Sequence, residues 1–101
     1  MIEEEYMYKS TVEKMIEKGF EVDDGLNIGF ITHGLALKWF REVKKIHIDV
    51  DYITETNNYS FYIKPMKGCD DWFKHVNGKN TYKTWELCAE MAIMYVLKEI
   101  L

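Results

Sequence analysis

The stretch from Tyr82 to Leu101 (YKTWELCAEMAIMYVLKEIL) limits what this chain can become more than any other. Read as a helix starting after Thr84, it carries a single charge, Glu90, between Leu87 and Leu97. A helix on the surface of a small domain shows polar residues over roughly half its circumference. Here Met91, Ala92, Ile93, Met94, Tyr95, Val96 and Leu97 point in every direction around the axis. Such a helix is wrapped on several sides by its own domain or shared with another chain.

A chain of 101 residues makes one domain, 1–101, with one core of ordinary size. With 48% of residues apolar and 15% aromatic, intrinsic disorder is excluded. A formal net charge of -4 argues against a nucleic-acid-coating protein, which needs a concentrated basic surface. The opening Met1-Ile2-Glu3-Glu4-Glu5 has neither the basic region nor the apolar region of a signal peptide, and no run is long enough to span a bilayer. The expectation is a soluble cytoplasmic protein without a membrane partner. Two cysteines, Cys69 and Cys88, read as reduced thiols, because a secreted disulfide scaffold carries more.

Along the chain, Ser10-Thr11-Val12-Glu13 fits a capping box, with Ser10 as N-cap of a short helix that Gly19 terminates; an earlier start near Glu3, where three glutamates suit a helix N-terminus, is the alternative. Residues 20–31 read as an irregular connection. Thr32 then caps a second helix from about His33 to Lys45, whose apolar face is Ala36, Trp39, Phe40 and Val43. At Ile46 the period drops to two. Ile46, Ile48, Val50 and Tyr52 alternate with His47, Asp49 and Asp51 as in a half-buried strand. Asn57-Asn58 supplies a turn into a second strand, with Tyr59, Phe61 and Ile63 on one side and Ser60, Tyr62 and Lys64 on the other; Pro65 ends it. A third strand falls near 72–76 or 79–82, with Asn77-Gly78 as a hairpin turn. The expected fold is α+β: two N-terminal helices, an antiparallel sheet of about three strands, and a C-terminal helix packed on one sheet face.

Two segments carry a resemblance. Leu35-Ala36-Leu37-Lys38-Trp39-Phe40-Arg41-Glu42-Val43 leads into Ile46-His47-Ile48, and Tyr82-Lys83-Thr84-Trp85-Glu86 opens the segment that closes with Leu97-Lys98-Glu99-Ile100. Together they resemble small proteins of gut anaerobic bacteria and their phages, a group with no assigned activity, which carry an "LAxxWLRE" helix before an "IxI" strand and a closing "YxSYEEAL" helix. The match covers about the last two thirds of the chain. It departs at the end, where Leu87, Met91 and Ala92 replace the expected Glu and Gly and make the final helix greasier. The resemblance implies a phage or mobile-element origin, with a host or phage protein as partner, and carries over no site residue.

His47, Asp49 and Asp51 share one strand face at i, i+2 and i+4, where an imidazole and two carboxylates make a reasonable ligand set for a transition metal or Mg²⁺. The plainer account is the solvated face of a hairpin. Cys69, Asp70, Asp71 and His75 form a looser cluster, short of a four-ligand zinc site and without evident geometry for a cysteine nucleophile. His33-Gly34 opens a helix whose free N–H groups suit an anion, as at any helix start. Tyr6, Tyr8, Tyr59, Tyr62, Trp72 and Phe73 divide between core and an aromatic contact surface. The order helix–strand–strand–strand–helix is also similar to that of double-stranded-RNA-binding domains. Those domains place lysines at the start of the final helix, which here begins Thr84-Trp85-Glu86 with Lys83 alone outside it.

No assembled catalytic set or cofactor motif is visible. The expectation is therefore a non-enzymatic interaction module that forms a homo-oligomer through Met91, Met94 and Tyr95. The alternative is a small-ligand, nucleotide or metal-binding protein using the His47/Asp49/Asp51 face beside Tyr62.

Overall fold

A computed structural model describes residues 5–22, 28–65, 76–77 and 80–101. Helix α1 spans Lys9–Glu17. It starts one residue before the capping box: the N-cap is Tyr8, with no side-chain cap, and Ser10 lies inside the first turn. The box fails because the backbone N–H of Tyr8 and the apolar Met7 before it are already anchored elsewhere, which sets where the helix begins. Its end is as expected. Gly19 takes φ +105°, Gly19 N–H bonds Ile16 O at 3.0 Å and Phe20 N–H bonds Met15 O at 3.0 Å, closing a paired turn that only a residue free of a Cβ accepts readily.

A 3₁₀ turn at Ile28–Phe30 leads to α2, His33–Glu42, where Thr32 Oγ1 accepts from Leu35 N–H at 3.2 Å. The helix stops short of Lys45, which has φ +58°. Val43 therefore falls outside the apolar stripe and is exposed, while Ala36 and Phe40 are fully buried and Trp39 half-buried, with Lys44 Nζ 5.5 Å from the Trp39 ring centre.

Strands β1 (Ile46–Ile53) and β2 (Asn58–Pro65) form the expected hairpin, in a register pairing Ile48 with Ile63 and Ile53 with Asn58. Asn57 supplies the left-handed turn residue at φ +57°. Ile46, Ile48, Phe61 and Ile63 face the core. Tyr52, expected on the same side, is exposed and leans on Tyr59, because the hairpin tip runs past the helices that cover its base. Strand β3 is only Val76–Asn77, giving sheet order β1-β2-β3. Asn77 pairs with Tyr62 and so belongs to the ladder, although an Asn-Gly pair favours the turn. Tyr82 adds an isolated bridge to Tyr59, with N–H···O distances of 2.7 and 2.8 Å.

Helix α3 spans Trp85–Tyr95, with Thr84 Oγ1 accepting from Leu87 N–H at 3.1 Å, and a π turn continues it from Val96 to Ile100. It packs on β1 and β2 and is flanked by α2 and α1. The fold is α+β as expected, and no helix among the described residues is long and apolar enough to cross a membrane. The two sides of α3 predict unequal mutational costs. Ile93→Ala, at a fully buried position, should cost about 2–5 kcal/mol in urea unfolding, and Met94→Ala, one residue on and exposed, less than about 1 kcal/mol.

Candidate functional site

Successive positions on α3 divide its surface into a core arc and an outer stripe. Cys88, Ala89, Ala92, Ile93, Val96 and Leu97 are buried and form the arc. Leu87, Met91 and Met94, at i, i+4 and i+7, share the opposite side. Leu87 and Met91 are half-buried and Met94 is 38% exposed. The three residues expected to form an interface therefore separate. Met91 and Met94 stand on the outer stripe, whereas Tyr95 is half-buried with its ring 6.3 Å from that of Phe61, on the sheet side. Leu87 completes the stripe; nothing in its own identity sets it apart from the other apolar residues of the helix.

The one charge between Leu87 and Leu97, Glu90, is the other feature. Glu90 is 1% exposed, and its Oε1 lies 2.9 Å from Nε2 of His33, itself 4% exposed. In its Nε2–H tautomer the imidazole donates to this oxygen. The same Oε1 accepts the backbone N–H of Tyr8 at 3.2 Å. The ring of Trp85 meets His33 edge-on, with centroids 6.2 Å apart. Glu90 Oε2 is buried without a hydrogen-bond partner, the one such side-chain atom among the described residues. The site thus joins the segment before α1, the first residue of α2 and the middle of α3. His33, at the helix start weighed for its free N–H groups, turns its side chain inward to a carboxylate. The signal for this pair is the single acidic residue in a run that otherwise demands burial.

The strand face weighed as a ligand set lies on β1. His47 and Asp49 are half-buried and Asp51 exposed on β1, opposite Lys64, Tyr62 and Ser60 of β2. A lysine facing the imidazole introduces a competing cation, and among the described residues no group of three His, Cys, Asp or Glu is gathered to hold a metal ion. Cys69, Asp70, Asp71, Trp72, Phe73 and His75 lie outside the described residues. Of the aromatics weighed as a contact surface, Tyr6 and Tyr8 are exposed, while Tyr59 and Tyr62 are half-buried.

Cys88 is a free, fully buried thiol, and burial pushes it up to about 11 from its ordinary 9.0. Such a group is neither a nucleophile nor a ready metal ligand near neutral pH.

Against models of protein families, curated proteins and solved structures, the chain has no match.

The buried pair and the thiol generate separate expectations. His33→Leu should cost about 3–5 kcal/mol, because it strands the Glu90 carboxyl. His33→Leu combined with Glu90→Leu should recover most of that loss; urea titration of the four chains of the cycle measures the coupling. A thiol whose folded pKa is raised contributes stability fully below pH 9.0 and loses it as the pH climbs through about 11. Wild type should therefore lose more stability than Cys88→Ala across that window, and iodoacetamide at pH 8 should label Cys88 only once urea unfolds the chain, as read by peptide mass.

Proposed function

We propose that this protein is a small non-enzymatic interaction module, of phage or mobile-element origin, that self-associates through the outer stripe of α3. The observation that carries the reading is the stripe itself. Leu87, Met91 and Met94 form an apolar line along the side of the helix away from the sheet, and none of them is fully covered. An outward helix face is normally where charged residues collect. Leaving it apolar lowers solubility without improving the monomer's core, a composition that makes sense where another surface covers it. Methionine suits the role, since its unbranched, polarizable side chain adapts to an irregular partner and is enriched in interface cores. Support for the origin comes from the likeness of the Leu35–Val43 and Tyr82–Glu86 segments to the phage-associated group.

The test is solution mass by light scattering over concentrations from about 1 µM to about 1 mM, the range of ordinary weak-to-moderate association. A dimer or larger species is expected, converted to monomer by Met94→Lys with an unchanged circular dichroism spectrum. A monomer throughout the range sinks the proposal.

A further inference from the structure

We infer that the outer edge of β1 pairs with the same edge of a second copy, antiparallel and in one register centred on Ile48. This contact is separate from the α3 stripe.

The sheet's own hydrogen bonding shows which backbone groups lie on that edge. Tyr59 and Tyr82 exchange both of their N–H···O bonds, so Tyr59 turns its amide away from β1. Amide direction alternates along a strand, so Asn58, Ser60, Tyr62 and Lys64 turn theirs toward β1. Their opposite numbers Ile53, Asp51, Asp49 and His47 are thereby satisfied. Ile46, Ile48, Val50 and Tyr52 then point their N–H and C=O groups outward. Pro65 agrees with this phase. It lies opposite Ile46, in a pair that exchanges no hydrogen bond, so its missing N–H costs the β1–β2 ladder nothing.

β1 is the outer strand of the sheet, and among the described residues no other segment bonds to these four amides. Native sheets blunt such an edge with a proline, a bulge or an inward-pointing charge. β1 uses none of them. Its eight residues pair with β2 without a break, and Ile46, Ile48 and Val50 turn apolar side chains to the core.

Charge selects the occupant. A two-fold axis normal to the sheet sets two β1 edges antiparallel. Centred on Ile48, the pairing places Ile46 opposite Val50 and Ile48 opposite itself on the core face. On the other face, His47 of each copy then stands opposite Asp49 of the other, an imidazole against a carboxylate. Longer overlaps fail: centred on Asp49 that residue faces itself, and centred on Val50 each Asp49 faces an Asp51. Centring on His47 leaves only residues 46–48 in the ladder, because Lys45, at φ +58°, has left the strand. The Ile48 register is thus the longest that opposes no two carboxylates, and the edge is complementary to itself there. Ile46 and Ile48 are already buried within their own chain, so the contact adds backbone bonds and little apolar area. Its dissociation constant is accordingly above about 1 mM, and it matters where copies are already concentrated.

A disulfide trap tests the register. Two chains, one with His47→Cys and the other with Asp49→Cys, both carrying Cys69→Ser and Cys88→Ala, are mixed in equal amounts and oxidised at about 2 mM. Opposed residues that exchange no hydrogen bond bring their Cα atoms to about 4.5 Å, within reach of a disulfide. The mixed 47–49 disulfide should exceed each of the two like-with-like products at least about tenfold by intact mass. A statistical mixture of the three, or no disulfide, overturns the inference. Wild type supplies a second measurement: between about 0.1 mM and about 3 mM, amide exchange at Ile46, Ile48 and Val50 should slow about twofold, with Tyr52, outside the new ladder, unchanged. Exchange at all four that ignores concentration likewise overturns it. A dimer in light scattering with a statistical disulfide mixture leaves the α3 stripe standing and removes the edge contact. A monomer in light scattering with the selective mixed disulfide does the reverse.

Discussion

Burial of one arc of α3 is the condition on which the rest of the architecture depends. The hairpin contributes Ile46, Ile48, Phe61 and Ile63 from one face, α2 contributes Ala36 and Phe40, and α1 contributes Val12 and Met15. Each of these elements is amphipathic and too short to be stable alone. α3 touches all three and gives each apolar face a common partner. The small residues Ala89 and Ala92 on the arc are fully buried, and Ala92, Ile93 and Val96 belong to the common core.

Within that apolar contact, Glu90 supplies the directional element. Apolar packing tolerates small rotations and slides of a helix. A buried carboxyl does not, because a slip of one residue would leave His33 Nε2, Tyr8 N–H and the carboxyl itself without partners. One oxygen takes both bonds and the other has none, so the arrangement sets register more than it maximises hydrogen bonding. Trp85, five residues before Glu90 on α3, meets the His33 ring and closes the same junction.

Much of this is legible from local chemistry. Thr32 and Thr84 cap the helices that follow them, Gly19 ends the first, and the alternation from Ile46 marks β1 with its inward face correct through Val50. Tyr52 and Val43 depart from their expected burial because periodicity says which side a residue faces and nothing about where the covering element stops. Ser10 loses the cap position because the start of α1 is set by Glu90, far along the chain. The His33–Glu90 pair is illegible for the same reason: each residue taken alone has an ordinary local explanation, and only the tertiary approach joins them. An all-round apolar helix is compatible with core or with interface, and the structure divides it, the core arc on one side and the stripe on the other.

The element that covers the others is also the last of them to be synthesised. The ties at either end of the α1–α3 contact span sequence separations of 82 residues, Tyr8 to Glu90, and 83 residues, Lys18 Nζ to Leu101 O. Pairings of that range cost more chain entropy to close than the hairpin does, and they slow folding relative to a domain of the same size built from neighbours. While the chain emerges from the ribosome, the hairpin can form, but Phe61 and Ile63 have no cover until α3 follows. The nascent protein therefore passes through an interval in which its most apolar sheet face is open to other chains, and the rate at which α3 docks decides how long that interval lasts.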